Sequence, residues 1–200
     1  MNLIIAQEPN IAAYNRHRTG LNIGYGNQKI AGFEIDSEHD YEVLLIQAQY
    51  NYRLAQKKFG ALDLLILPQY NVTKYKLTMD LPKNYGYEFG VSAGLQLSNK
   101  IIHNKMDGYL MIAFGPHFVS GVPDRQAEGF IFSDTIAVGL LLKLMDTIFI
   151  NVKVAMRHMS NAGFKEKNAG VNNLIFSSGI LVNIQKKKSV LVRNSFNYTF

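Results

Sequence analysis

The sequence predicts an all-β fold: an antiparallel transmembrane β-barrel of eight strands. Three observations predict it. Apolar residues recur at alternate positions, the period of a strand with two different faces. The alternating runs are about 10 to 17 residues long, against about 5–6 for a soluble strand and about 9–11 needed to cross a bilayer. No stretch approaches the roughly 18 uninterrupted apolar residues of a membrane helix, although the chain is 48% hydrophobic and only 18% charged. At 200 residues the whole chain, 1–200, reads as a single outer-membrane barrel domain.

The runs follow in order. Segment 18–27 alternates weakly. In 41–54, Leu44, Ile46, Ala48, Tyr50 and Tyr52 share a face opposite Gln47, Gln49 and Asn51. Segment 61–75 is again weaker. The clearest run is 85–98: Tyr85, Tyr87, Phe89, Val91, Leu95 and Leu97 on one parity, Gly86, Glu88, Gly90, Ser92, Gln96 and Ser98 on the other. Leu110, Ile112, Phe114, Pro116 and Phe118 mark 108–120. Phe130, Phe132, Ile136, Val138, Leu140, Leu142 and Leu144 mark 129–145. Ile148, Ile150, Val152, Val154 and Met156 mark 148–162, and Leu174, Phe176, Ile180, Val182 and Ile184 mark 172–184. Segment 188–200 alternates weakly, which makes nine strand-like segments. Single-chain bacterial barrels close with an even number, so one segment should lie outside the barrel. Met1 to Gln7 offers a short extra strand as an alternative.

The less apolar faces, rich in Gly, Ser, Gln and Asn, suit the packed polar interior of a narrow barrel. Tyr25, Tyr52, Tyr85 and Tyr198 sit at the ends of apolar faces, as in an aromatic girdle, although Trp is absent. The net charge is +6, with basic clusters at Arg16-His17-Arg18, Lys57-Lys58 and Lys186-Lys187-Lys188. These are solvated turns or contacts to an anionic lipid surface. Their scatter, with no basic helix or stripe, excludes nucleic acid. Without cysteine there are no disulfides or thiolate metal sites, and no ligand spacing links the histidines. Met1 to Ala6 is too short and lacks the basic start of a secretory signal.

Chemistry concentrates in Arg157-His158-Met159-Ser160-Asn161-Ala162-Gly163. His158 and Ser160 continue the parity of Met156, so a polar pair follows directly on the lipid-facing stripe. Residues two apart on a strand point the same way, roughly 6.5–7 Å apart along the chain, and their side chains can lean together as base and nucleophile. A tight connection near Met145-Asp146-Thr147 that pairs Leu144 with Ile148 places Asp134 opposite His158. Asp134 is the charged residue of an otherwise apolar face. Asn172 falls on the outward face of its own segment and comes beside the pair. The Asn161 amide and the N–H groups around Ala162-Gly163 are candidate oxyanion donors. A plain alternative is that His158 and Ser160 merely mark the polar end of a membrane strand. His117 points to the interior and is structural. Asp124, Arg125 and Glu128 form a charged, solvated loop, where Arg125 is a candidate for lipid phosphate.

At these residues the sequence resembles the outer-membrane lipid A 3-O-deacylase (PagL-type acyloxyacyl hydrolase) family. The match is carried by His158-Met159-Ser160-Asn161-Ala162-Gly163 with Asn168 and Gly170. Phe132-Ser133-Asp134 with Ile136, Gly139 and Leu140 adds to it, as do Gly115-Pro116-His117-Phe118 and Ser120-Gly121. The likeness spans about residues 85–184. It implies an eight-stranded barrel in the bacterial outer membrane. It also implies hydrolysis of the ester-linked acyl chain at the 3 position of lipid A, at a site on the lipid-facing exterior. His158 would be the base, Ser160 the nucleophile, and Asn161 and Gly163 the oxyanion donors, with no metal or cofactor. Partners would be lipid A or lipopolysaccharide as substrate, outer-membrane lipids, and a second copy in a homodimer. The family's triad carboxylate is a Glu fourteen residues after the His, where this chain has Asn172. Asn172 would orient the imidazole, with Asp134 as electrostatic partner.

Two other readings stand beside this one: a non-catalytic outer-membrane barrel, structural or adhesive, that keeps the fold, and a soluble lipid-binding β-barrel with its apolar residues inside. Two directional signals also disagree. Phe196, Tyr198 and Phe200 alternate like a terminal barrel strand, and counting back from them puts the His158 loop in the periplasm. Short turns at 145–147 and 185–187, read as periplasmic, put it outside.

Overall fold

The computed structural model describes residues 16–30, 33–34, 40–58 and 60–184. Its strands are β1 (His17–Asn27), β2 (Lys29–Ile30), β3 (Phe33–Glu34), β4 (Tyr41–Gln56), β5 (Gly60–Tyr75), β6 (Asn84–Ile102), β7 (Met106–Val119), β8 (Gly129–Lys143), β9 (Ile148–Ser160) and β10 (Val171–Ile184). Eight of them form a closed antiparallel barrel in the order β1-β10-β9-β8-β7-β6-β5-β4, and β2 and β3 make a small separate hairpin. The eight strands coincide with eight of the nine alternating segments.

Closure occurs between β1 and β10, from His17 opposite Ile184 to Asn27 opposite Leu174. The barrel is thus complete at Ile184 without a strand from 188–200, and the conflict over direction disappears. Segment 188–200, the turn at 185–187, Tyr198 and Met1 to Gln7 lie outside the described residues. At one end the barrel strands are joined by the short connections 57–59, 103–105 and 144–147. At the other they are joined by 28–40, 76–83, 120–128 and 161–170. Outer-membrane barrels place short turns in the periplasm and longer loops outside, so the 161–170 connection faces the exterior.

The alternation sorts as expected. Tyr85, Phe89, Val91, Leu97, Ile112, Phe114, Ile136, Val138 and Ile180 are exposed on the outer wall, where a membrane would cover them. Glu88, Ser92, Gln96, Asn151 and Asn173 are buried in the lumen. These faces rule out the soluble reading, which needs the apolar face inside. The lumen is less uniformly polar than the sequence suggested: Leu45, Leu65, Leu67, Met111 and Leu141 pack in its middle. Among the described residues Gln96, Ser133 and Ser177 leave buried polar atoms without a protein partner, but much of the polar interior is paired, as a narrow barrel filled with side chains requires. Thus Asn151 donates to Asn22 Oδ1 (2.7 Å), Asn22 to Gln49 Oε1 (2.9 Å), and Tyr109 to Asn151 Oδ1 (2.7 Å). His117 is buried beside Ser92 (3.2 Å) and Gln69 (3.5 Å), an interior structural residue. Tyr70, Tyr87, Phe89 and Phe118 stack along the outer wall near the long-loop end, with Tyr25 and Tyr85 exposed at the same level.

The ends of β8 and β9 fall two residues short of the segments read from alternation, and that of β7 one residue. β8 stops at Lys143 because Leu144 and Met145 already donate to Ile148 O (3.0 and 3.1 Å), closing a tight turn. β9 stops at Ser160 because Asn161 to Phe164 form a second turn, closed by Phe164 N–H to Asn161 O (3.0 Å).

Candidate active site

β9 carries the site between its two neighbours. The β8–β9 register sets Asp134 opposite His158, and the β10–β9 register sets Asn172 opposite His158 on the other side. The short 144–147 connection transmits this register from Leu144–Ile148 along the strand pair. Three polar side chains thus share one row on the outer wall.

Within this row the imidazole bonds toward β10. His158 Nδ1 lies 2.8 Å from Asn172 Oδ1. A carbonyl oxygen can only accept, so Nδ1 carries a proton, and in the neutral ring Nε2 then presents a bare lone pair. That is the tautomer a general base requires. Among the described residues the Asn172 Nδ2 has no hydrogen-bond partner, and the amide's side-chain contact is with the imidazole. Asp134 is exposed and among the described residues makes no hydrogen bond or ion pair, and its register position puts the carboxylate in the row beside the ring. Ser160 and His158 are both half-buried on the same face, and no hydrogen bond joins them in this structure. Apo sites often tighten such contacts only around substrate.

Gly170 completes the seat of the imidazole. Its φ is +76°, and a Cβ there would lie 2.5 Å from His158 Cε1 and 3.2 Å from Nε2. Only glycine fits both the backbone angle and the approach. In the sequence Gly170 is a motif glycine without a visible role, since neither constraint shows in one dimension.

Beyond Ser160 the chain makes a type I′ turn with Ala162 (φ +53°) and Gly163 (φ +79°) at its centre. Ala162 and Lys167 are two of the three non-glycine residues with positive φ among the described residues, so strain gathers in this loop. The fully buried Asn161 builds the turn. Its Oδ1 accepts from Gly163 N–H (2.9 Å), and its Nδ2 donates to Lys165 O and Lys167 O (3.3 Å each). The two expected oxyanion donors are therefore engaged with each other and with the loop. Among the described residues the Ala162 N–H has no hydrogen-bond partner.

Below this row the outer wall holds an apolar groove of about 430 Å³, lined by Leu95, Ile112, Phe114, Ile136 and Met156. His158 and Asp134 form its upper edge. Phe132, opposite Ser160, contacts Phe130 edge-on (5.2 Å) and Phe164 (6.2 Å), and Phe164 is 71% exposed. On the inward parity Arg157 pairs with Glu88 and donates to Asn173 Oδ1 (2.8 Å). Tyr41 OH donates to Glu88 Oε2 (3.0 Å), and Asn173 donates to Tyr41 O (2.8 Å). This brace ties β9, β10, β4 and β6 together directly behind the site. Glu88 and Arg157 were visible as charges at lumen positions, the signal by which the brace could have been found. Among the described residues no group of three His, Asp or Glu side chains is placed to hold a metal.

Comparison with known proteins bears on this arrangement. Residues 45–180 match the family model described as lipid A 3-O-deacylase (PagL). A comparison with curated protein sequences finds no match. Among solved structures, the outer-membrane enzyme PagL aligns with a TM-score of 0.58 at 17% identity, over 84% of this chain and 99% of that one. Neisserial surface protein A aligns with a TM-score of 0.56 at 11% identity, over 84% and 97%. OprG from Pseudomonas aeruginosa aligns at 0.50 with 8% identity, over 85% and 96%. At these identities the structural likenesses speak for the outer-membrane barrel fold, and the sequence model speaks for the family.

Proposed function

The chain belongs to the PagL lipid A 3-O-deacylase family of the bacterial outer membrane, and from that premise we propose that it hydrolyses the ester-linked acyl chain at the 3 position of lipid A, with Ser160 as nucleophile and His158 as general base. The observation that carries this reading is the 2.8 Å contact from His158 Nδ1 to Asn172 Oδ1 on the lipid-facing wall, two residues from Ser160. It leaves Nε2 basic toward a substrate that diffuses in the bilayer and could not enter so narrow a lumen.

His158 Nε2 takes the proton of Ser160 Oγ as that oxygen attacks the ester carbonyl. The tetrahedral intermediate collapses, the sugar hydroxyl leaves with the proton from His158, and the acyl chain stays on Ser160. Water, deprotonated by the same nitrogen, then releases the fatty acid and restores Ser160. The apolar groove below His158 receives the acyl chain, since it opens to the membrane beside the reacting atoms. In the free protein the Ala162 N–H is the donor available to the oxyanion, with Asn161 and Gly163 shaping the turn that presents it. Asn172 orients the ring and holds its tautomer, while Asp134 opposes the loss of positive charge from the imidazolium across one strand spacing. A neutral Asn stabilises that imidazolium less than a carboxylate would.

One observation favours a second reading, a barrel that keeps the fold without the activity: Asn172 stands where the family has its Glu. Mass spectrometry of lipid A from Gram-negative cells expressing the protein separates the two. Loss of one hydroxyacyl chain from the 3 position, absent with Ser160→Ala, is the expected outcome. Unchanged lipid A with the folded protein in the outer membrane would support the non-catalytic barrel.

A further inference from the structure

The 120–128 connection keeps Asp124, Arg125 and Glu128 exposed, as expected of a solvated charged loop, and its backbone is also stitched to the 161–170 connection that carries the site. Gln126 and Asn168 form an isolated antiparallel bridge. Ala127 N–H donates to Lys167 O (2.7 Å) and Ala169 N–H to Arg125 O (3.1 Å). Lys165 Nζ donates to Glu128 O (2.8 Å), and Lys167 pairs with Asp124 (2.7 Å). The Lys167–Asp124 pair is largely exposed and holds little, since water screens it. The buried member of the set is Gln126, 3% exposed. Its Oε1 accepts from Gly170 N–H at 3.0 Å, and its Nε2 donates to the adjacent Ala127 O at 3.3 Å.

We propose that Gln126 is a positioning residue for the general base: its Oε1 fixes the Gly170 peptide, and that peptide is the backstop against which the His158 imidazole is set. The proposal rests on the reading of His158 as the base. One hydrogen bond, donated by Nδ1 to Asn172 Oδ1, holds a single ring atom and leaves the ring free to swing about it. The Gly170 backbone lies along the Cε1–Nε2 edge of the ring, where a Cβ on it would come within 2.5 and 3.2 Å of those atoms. Glycine is the residue whose backbone wanders most easily, so a backstop made of Gly170 needs an anchor. Gln126 supplies it from another loop. The same bridge reaches the nucleophile, because Asn168 Oδ1 accepts from the N–H of Asn161, the residue after Ser160 (2.8 Å). A displacement of the base by about 1 Å is enough to slow such chemistry roughly a hundredfold.

The test uses the full-length folded protein in detergent micelles, labelled with ¹⁵N-histidine, and compares it with Gln126→Met, which keeps the length and removes the acceptor. The His158 ring signals are expected to shift or broaden while those of the lumenal His117 stay in place. On lipid A, kcat is expected to fall about tenfold or more with KM within about twofold, as for a misplaced base rather than weakened binding. Unchanged His158 ring signals would overturn the proposal whatever the activity. If the native protein does not deacylate lipid A and the ring signals still move, the positioning stands and the esterase reading falls. If the variant does not reach the heat-resistant folded form, amide exchange of Gly170 in the native protein decides. Protection like that of strand amides supports the anchor, and exchange as fast as an exposed loop amide overturns it.

Discussion

Four consecutive residues of β9 divide into two regions that behave in opposite ways. Arg157 and Met159 face the lumen and are at most 2% exposed, and Arg157 is locked by Glu88 and Asn173. His158 and Ser160 face the lipid, half-buried, held by one hydrogen bond to Asn172 and by contact with Gly170. A strand separates scaffold from chemistry by parity alone. The inner face can be tightly paired because nothing must enter, while on the proposed reading the outer face leaves Nε2 and Oγ uncommitted until substrate arrives. Rigidity reaches the outer residues through the backbone they share with the brace.

Substitutions on the two faces should therefore fail in different assays. The largest effect is expected from Ser160→Ala, a loss of lipid A deacylation of about a thousandfold or more. Its thermal unfolding, followed by heat-modifiable migration, should match the native protein. On the inner face Arg157→Met should leave Glu88 buried and unpaired, at a cost of about 3–5 kcal/mol. Urea unfolding in micelles would register it, and equal stability would break the contrast between faces. Gly170→Ala needs a backbone angle that alanine resists and pushes a methyl into the imidazole. Single-turnover kinetics should show a loss of about a hundredfold. Asn172→Glu should raise kcat by about tenfold. By favouring the imidazolium, the new carboxylate should also move the rise of kcat/KM to higher pH. The smallest change should come from Asp134→Asn, a few-fold loss by charge alone that shrinks as salt is raised. An effect of Asp134→Asn as large as that of Gly170→Ala would mean that Asp134, and not Asn172, orients the ring.

Much of this was legible in one dimension because strands are periodic and tight turns transmit register. The pairing of Leu144 with Ile148 sufficed to place Asp134 opposite His158, and parity sufficed to put Ser160 on the outer wall. Other features depend on contacts that no local pattern encodes. Glu88 meets Arg157 across the lumen between strands that are not neighbours. Gln126 meets Gly170 through two loops forty-four residues apart. The Asn161 amide could be read as an oxyanion donor from its type and place, but only the turn shows it spent on Gly163 and the loop carbonyls. The alternation of Phe196, Tyr198 and Phe200 is real, yet period alone does not decide which strands close a barrel. The pairing of β1 with β10 does.

The central claim is that an activated serine sits on the membrane-facing wall. A long-chain alkyl fluorophosphonate, delivered within mixed micelles to the folded protein, tests it most directly by peptide mass mapping. The account predicts a single phosphonyl adduct on Ser160 that disappears in His158→Ala. An unmodified Ser160 in the folded protein, or an adduct at another residue, would contradict it.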